Sequence, residues 1–77
     1  MLSELIKIVA DNCEAAEVTL ESDLREDLEM NSMDIINMTI DIEGTFKIKI
    51  KEAAFKDIHT VADLKKHIEK LTKKELV

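Results

Sequence analysis

The stretch from Asp27 to Phe46 constrains this chain most, because a helix begins inside it with a hydroxyl at its first position. Asn31 is a favoured N-cap residue and Asp34 follows three residues later, so the pair can satisfy amide donors at the helix start. Ser32 then lies beside free backbone N–H groups and the positive end of the helix dipole. Such a position suits a phosphate group, although serine also occurs there simply because it favours helix starts.

The helix that begins there carries apolar residues on two separate faces. Over residues 32–45, side chains three and four positions apart fall on common stripes, and the two stripes lie roughly 145° apart. One stripe has to face the core, and the other is either core as well or a patch that contacts a partner. The core stripe is Ile35, Met38, Ile42 and Phe46, and the shorter stripe beside Ser32 is Met33, Ile36 and Ile40.

The rest of the chain predicts further helices around a long first connection. Apolar residues recur at helical spacing over residues 2–13, and Thr60 with Asp63 forms a capping signal before a last helix. Residues 14–30 have no sustained period, so we expect a loop pinned by apolar side chains. Ile48 and Ile50 predict an extended connector, followed by one or two helical turns over residues 52–56. The expected pins are Val18, Leu20, Leu24 and Leu28, and the stripe of the last helix is Val61, Leu64, Ile68 and Leu71.

These elements predict an all-α fold. Only 3 % of the residues are aromatic, proline is absent and there is a single glycine, which favours helices over a sheet. We expect one domain over residues 1–77: a small antiparallel four-helix bundle with a long first loop and a short third helix. Gly44 is predicted to end the central helix. The tail formed by Glu75, Leu76 and Val77 is predicted to fray.

Charge is divided unevenly along the chain. Residues 1–46 hold twelve acidic residues against Lys7 and Arg25, a net charge of −10, and residues 47–77 hold nine lysines against five acids, a net charge of +4. Ser32 lies in the acidic half, whose field should steer basic partner surfaces towards it. The overall charge of −6 argues against nucleic acid and anionic membranes as partners. No apolar run is long enough to predict a membrane span.

The sequence contains no recognisable catalytic or metal-binding pattern. His59 and His67 lack the accompanying ligands of a metal site, so we predict no metal site and no enzymatic activity. One cysteine, Cys13, cannot form an internal disulfide, and no signal peptide is evident, so the cytoplasm is the expected location. The remaining candidate is Ser32, a hydroxyl that a separate enzyme would have to modify.

Asp27-Leu28-x-x-Asn31-Ser32-Met33-Asp34, with Ile42-Glu43-x-x-Phe46, Ile48-x-Ile50 and Thr60-Val61-x-Asp63-Leu64 further on, resembles the acyl carrier protein family over nearly the whole chain. The resemblance implies that Ser32 carries 4′-phosphopantetheine through a phosphodiester, with an acyl group held as a thioester at the end of the arm. It implies a role in fatty-acid or polyketide-type biosynthesis.

The resemblance also implies partners. These are a phosphopantetheinyl transferase and acyl-loading and acyl-processing enzymes with basic docking surfaces, and we expect the carrier itself to be a monomer. The resemblance points to the short stripe of the central helix and its acidic flanks as the recognition surface. The residues predicted for partner recognition are Met33, Asp34, Ile36, Ile40, Asp41 and Glu43.

Three positions depart from the family pattern. Asn31 stands where the family most often has Asp, Glu29 replaces the usual Gly, and Lys51 replaces the usual Pro. These changes suggest a specialised carrier whose modification is slower or needs a particular transferase. Two alternatives stay open: a carrier of aminoacyl or D-alanyl groups (peptidyl-type), and an interaction module of the same fold that is never modified.

Overall fold

A computed structural model describes residues 2–15 and 17–76 and shows an all-helical chain. Its elements are α1 (Leu2–Asp11), α2 (Ser32–Phe46), a 3-10 helix (Glu52–Lys56) and α3 (Val61–Thr72). Within the described ranges there is no strand, only one isolated bridge between Asp23 and Thr60. The all-α prediction is confirmed. A bundle of four α-helices is not, because the predicted short third helix is a five-residue 3-10 helix that follows the extended connector.

The core lies where the three α-helices meet, and the sequence stripes predict most of it. Ile35, Met38 and Ile42 of α2 are buried, and Phe46 is half-buried against the same cluster. Each of the three helices therefore buries one apolar face, as their spacing predicts. The completely buried contributions of α1 and α3 are Leu5, Val9, Val61, Leu64 and Ile68.

The long first connection is held against the start of α3 by backbone hydrogen bonds. Leu24 donates to the carbonyl of His59 at 2.8 Å, Val61 to that of Ser22 at 3.1 Å, and Ala62 to that of Leu20 at 2.9 Å. Of the predicted pins, Leu24 and Leu28 are buried, and Val18 and Leu20 are partly buried on the same core. A connection of this length is thus ordered by tertiary contacts, which is how long loops persist in small domains.

The C-terminal end of the chain differs from the sequence prediction at two leucines. Leu71, predicted to be core, is 41 % exposed. Leu76, predicted to be frayed, is buried, and its backbone N–H donates to the Glu69 carboxylate at 2.8 Å. This amide, together with Lys65, holds the pKa of Glu69 below its usual value. The tail therefore folds back and covers the core in place of Leu71. Val77 lies outside the described residues.

The C-terminal end of α2 also differs from the prediction. Gly44 lies inside the helix, and the left-handed residue that ends it is Lys47, with φ of 56° and an N–H that donates to the carbonyl of Glu43. Lys47 stands where a glycine cap is usual, and its Cβ makes the left-handed conformation cost about 1 kcal/mol. The cation of Lys47 instead complements the negative end of the helix dipole.

Replacing Gly44 by alanine should raise the free energy of unfolding by about 1 kcal/mol, since glycine is that much less favourable than alanine inside a helix. A Cβ at Gly44 would meet no atom within 4 Å, so no clash offsets the gain. Urea denaturation of both proteins measures the difference. A loss of stability would contradict the placement of Gly44 in regular helix.

Candidate functional site

The start of α2 is fixed by a reciprocal pair of hydrogen bonds. The Asp34 amide donates to Asn31 Oδ1 at 2.9 Å, and the Asn31 amide donates to Asp34 Oδ2 at 3.2 Å. This is the capping box that the sequence predicts, with Asn31 in an extended conformation. Because both side chains are used in this way, the helix begins at Ser32 and not one turn earlier or later.

Ser32 is the first residue of α2, and it is exposed. The Asp34 amide is taken by the Asn31 side chain and the Ile35 amide by the Asn31 carbonyl at 3.1 Å. The amides of Ser32 and Met33 therefore have no acceptor within the helix, as is general for a first turn. A phosphate attached to the Ser32 hydroxyl would meet these donors and the positive end of the helix dipole.

The second apolar stripe of α2 faces away from the core. Met33 is 62 % exposed, Ile36 50 % and Ile40 59 %, whereas Met38 and Ile42 on the opposite side are completely buried. The alternative that both stripes are core is therefore excluded. We call Met33, Ile36 and Ile40 the apolar strip. An exposed apolar surface of this kind, directly beside Ser32, is typical of a site that contacts a partner. Its role as a recognition surface stays a prediction.

The three acidic residues predicted for recognition have different surroundings. Asp34 belongs to the capping box, and exposed Asp41 accepts a hydrogen bond from Asn12 Nδ2 at 3.0 Å. Glu43 is half-buried, and its Oε2 accepts from the Ile50 amide at 2.8 Å. Glu43 thus ties the extended connector to α2. Asp34 and Asp41 keep exposed surface on the same helix as the apolar strip.

A groove of about 920 Å³ opens between α2 and the 3-10 helix, and Ser32 is one of the residues that line it. Its apolar lining comes from α2, through Ile35, Ile36 and Ile40, and from the 3-10 helix, through Ala53 and Phe55. The residues that complete the groove are Arg25, Thr39, Glu43, Glu52, Lys56 and His59. The three basic members were not predicted from the sequence, since they lie 7 to 27 positions from Ser32 and follow no local pattern.

The family departures have local explanations in the backbone. Glu29 adopts the left-handed region with φ of 52°, which explains why glycine is usual at this position. Lys51 has φ of −74° and ψ of 140° before the 3-10 helix, a conformation that proline also adopts. Both residues therefore fit the local backbone of this chain, Lys51 without strain and Glu29 at a cost in strain.

No group of three or more His, Cys, Asp or Glu side chains among the described residues could hold a metal ion. No helix in the described part of the chain is long and apolar enough to cross a membrane.

Asn31 offers a direct test of the helix start. Its replacement by alanine should lower the free energy of unfolding by about 1 kcal/mol, because the Asp34 amide loses its acceptor. Replacement by aspartate keeps the acceptor and should leave stability nearly unchanged. Thermal unfolding of the two variants checks this, and equal losses for both would contradict the role of the cap.

Comparisons with known proteins identify the class to which this site belongs. The chain matches the family described as "Phosphopantetheine attachment site" over residues 3–68. It is therefore a carrier domain whose cofactor is phosphopantetheine. Among individual proteins, it is 35 % identical to the acyl carrier protein of Amoebophilus asiaticus over 69 residues, which cover 87 % of this chain and 86 % of that protein.

Two further relatives carry the same name. The acyl carrier protein of Onion yellows phytoplasma is 34 % identical over 59 residues, which cover 77 % of this chain and 78 % of that protein. The acyl carrier protein of Thermotoga maritima is 36 % identical over 55 residues, which cover 71 % of this chain and 68 % of that protein. The chain belongs to the acyl carrier protein family.

Proposed function

We propose that Ser32 is the attachment point of the 4′-phosphopantetheine arm, and that the protein carries acyl intermediates on it in fatty-acid or polyketide-type biosynthesis. One observation carries the proposal: Ser32 is an exposed hydroxyl at the first position of α2, inside the matched attachment-site region. The exposed position leaves the hydroxyl open to a modifying enzyme, and the free amides of the first turn favour the phosphodiester that results.

The arm supplies a thiol that holds the acyl group as a thioester, and the protein residues hold and present the arm. A carrier of this kind needs a tether, a recognition face and no catalytic residues of its own, in keeping with a site that offers one hydroxyl beside an apolar strip. A free thiol at the end of the arm suits the reducing cytoplasm, as does the free cysteine Cys13.

Incubation of the purified protein with coenzyme A, magnesium and a broad-specificity phosphopantetheinyl transferase tests the proposal. The intact mass should rise by one arm. A second incubation with acyl and aminoacyl ligases then separates the two cargo classes, since only the matching ligase should load the thiol. A protein that remains unmodified with several transferases would contradict the proposal and favour an interaction module of the same fold.

We further propose that Met33, Ile36 and Ile40, flanked by Asp34 and Asp41, form the surface that the transferase and the acyl-processing enzymes contact. An apolar strip with acidic flanks fits a partner whose docking surface is apolar at its centre and basic around it. The strip begins one residue after Ser32, so a partner bound there would hold the arm near its own active site.

Replacing Ile36 by lysine should slow arm attachment about fivefold or more, because an apolar anchor is lost and a cation faces a basic partner. Leu71→Lys is the matched control, since it makes the same kind of change at an exposed apolar residue of another helix, α3. Both variants should melt close to wild type. Equal rates for the two variants would contradict the assignment, and loss of folding in Ile36→Lys alone would show that Ile36 is needed in the core.

A further inference from the structure

The sign of the charge reverses where α2 ends. Residues 27–46 hold five acidic side chains and no basic one, a net charge of −5, whereas residues 47–56 hold four lysines and one glutamate, a net charge of +3. Three of these lysines, Lys47, Lys49 and Lys51, belong to the connector, residues 47–51, and all three are exposed. A chain with an overall charge of −6 therefore presents a local positive surface directly after its acidic helix.

The packing of the connector directs its lysines to the outside. Ile48 is half-buried and Ile50 is buried, and both pack against the core. Because successive side chains of an extended chain point to opposite sides, Lys49 and Lys51 share the side away from Ile50, with their backbones roughly 7 Å apart. Within the described ranges the one salt bridge joins two residues of α3, so the connector lysines have no ion-pair partner there.

The connector is tied to α2 at Glu43. The Ile50 amide donates to Glu43 Oε2 at 2.8 Å, and the amides of Lys47 and Ile48 donate to the Glu43 carbonyl, the second of them at 3.3 Å. The Glu43 carboxylate is therefore used inside the fold. The exposed charges next to it are those of Lys49 and Lys51, which precede and follow Ile50 in the chain.

The apolar strip lies between this edge and the acidic flank of α2. At 100° per residue, Asp34 and Asp41 lie about 80–100° to one side of Met33, whereas Ile36 and Glu43 lie about 60–80° to the other side. The groove between α2 and the 3-10 helix is on the second side, since both Ile36 and Glu43 line it. The connector bound to Glu43 thus borders the strip on the side opposite to the two aspartates.

We propose that the connector lysines are part of the docking surface, and that the enzyme bound to the apolar strip carries acidic side chains opposite them and basic side chains opposite Asp34 and Asp41. This inference rests on the recognition surface proposed above and specifies the partner that fits it. Opposite charges on the two sides of an apolar centre fix the orientation of a bound partner, because the reverse orientation brings like charges together. A docking surface that is basic throughout would be disfavoured.

The sign of a charge-reversal effect tests the inference. The Lys49→Glu, Lys51→Glu double variant should lower kcat/KM for arm attachment by the transferase of the protein's own host about threefold or more, because like charges then face each other. Asp41→Lys should lower it as well, for the same reason on the other side of the strip. At 1 M salt, where the Debye length is about 3 Å, both differences should disappear.

The matched control is Lys66→Glu with Lys70→Glu. It makes the same change of charge at two exposed lysines of α3, neither of which lines the groove, and its kcat/KM should stay near that of the wild type. Circular dichroism should show that all variants melt close to the wild type. An equal loss in this control would assign the effect to net charge and overturn the inference.

A transferase surface that is basic throughout predicts the opposite sign for the connector. Faster attachment in the Lys49, Lys51 double variant, or an unchanged rate, would overturn the inference and leave the attachment at Ser32 intact. A wild-type protein that is never modified would instead overturn the attachment itself. A slower reaction that stays slow at 1 M salt would have a structural cause, and it would also overturn the proposed charge contact.

Carbodiimide cross-linking of the carrier with the transferase gives a second readout, because this reagent joins an amine to a carboxylate without a spacer. We expect amide links from Lys49 or Lys51 to an aspartate or glutamate of the transferase, and from Asp41 to one of its lysines. Links from Asp41 without any from the connector would overturn the inference. Co-sedimentation with phosphatidylglycerol vesicles that is lost in the Lys49, Lys51 double variant would also overturn it, since the lysines would then bind a membrane.

Discussion

Replacing Ile42 by alanine is expected to lower the free energy of unfolding by about 2–5 kcal/mol. Ile42 is completely buried between the helices, so its truncation removes apolar contacts and leaves a cavity that the surrounding side chains fill only in part. A chain of 77 residues buries only about 60 % of its unfolded surface, so a loss of this size threatens folding at moderate temperature. Urea denaturation at low temperature measures the change.

The control for this variant is Ile36→Ala on the same helix. The side chain of Ile36 is half exposed, so its truncation should change the free energy of unfolding by less than about 1 kcal/mol. Both substitutions remove the same atoms and introduce the same residue, so helix propensity cancels in the comparison. Similar losses in the two variants would contradict the division of α2 into a buried and an exposed face.

Replacing Ser32 by alanine should abolish attachment of the arm completely, because no other atom at this position can form the phosphodiester. The fold should remain intact, since an exposed hydroxyl in the first turn of a helix contributes little and alanine favours helix. Intact mass after incubation with coenzyme A and a transferase measures the first effect, and circular dichroism measures the second.

Two other serines are the controls for that result. Ser22 is half-buried, and its hydroxyl accepts a hydrogen bond from the Thr19 amide at 3.0 Å, whereas Ser3 is exposed within α1. Alanine at either position should leave attachment at the wild-type level. Attachment that survives in Ser32→Ala and disappears in Ser3→Ala or Ser22→Ala would place the arm elsewhere on the chain.

The sequence predicts α2 well because its capping residues and apolar spacing agree with the packing that the helix has in the fold. The capping pair Asn31 and Asp34 predicts a start at residue 32, as observed, and the expected end at residue 45 is within one residue of the observed end. The spacing predicts the longer stripe as core, as observed, but it leaves open whether the shorter stripe is core as well, and only the resemblance favoured its exposure. The capping signal of Thr60 and Asp63 likewise predicts Thr60 as the N-cap of α3, as observed.

The structure differs from the sequence prediction where contacts between distant parts of the chain determine the conformation. Leu71 has the spacing of a core residue, but the returning tail places Leu76 in the core, and no local pattern signals that return. Gly44 resembles a helix cap by composition, yet the helix continues past it to Phe46. The lining of the groove is also invisible in the sequence, because Arg25 and His59 both line it only in the folded chain, where the Leu24 amide of the long loop bonds to the His59 carbonyl.

The most direct test of the central claim is tandem mass spectrometry of the protein purified from its own host. We expect the peptide that contains Ser32 to carry a phosphopantetheine group, and fragment ions to place that group on Ser32. Any acyl or aminoacyl group on the thiol would identify the cargo in the same spectrum. A chain that is unmodified throughout, or that carries the arm on a residue other than Ser32, would contradict the claim.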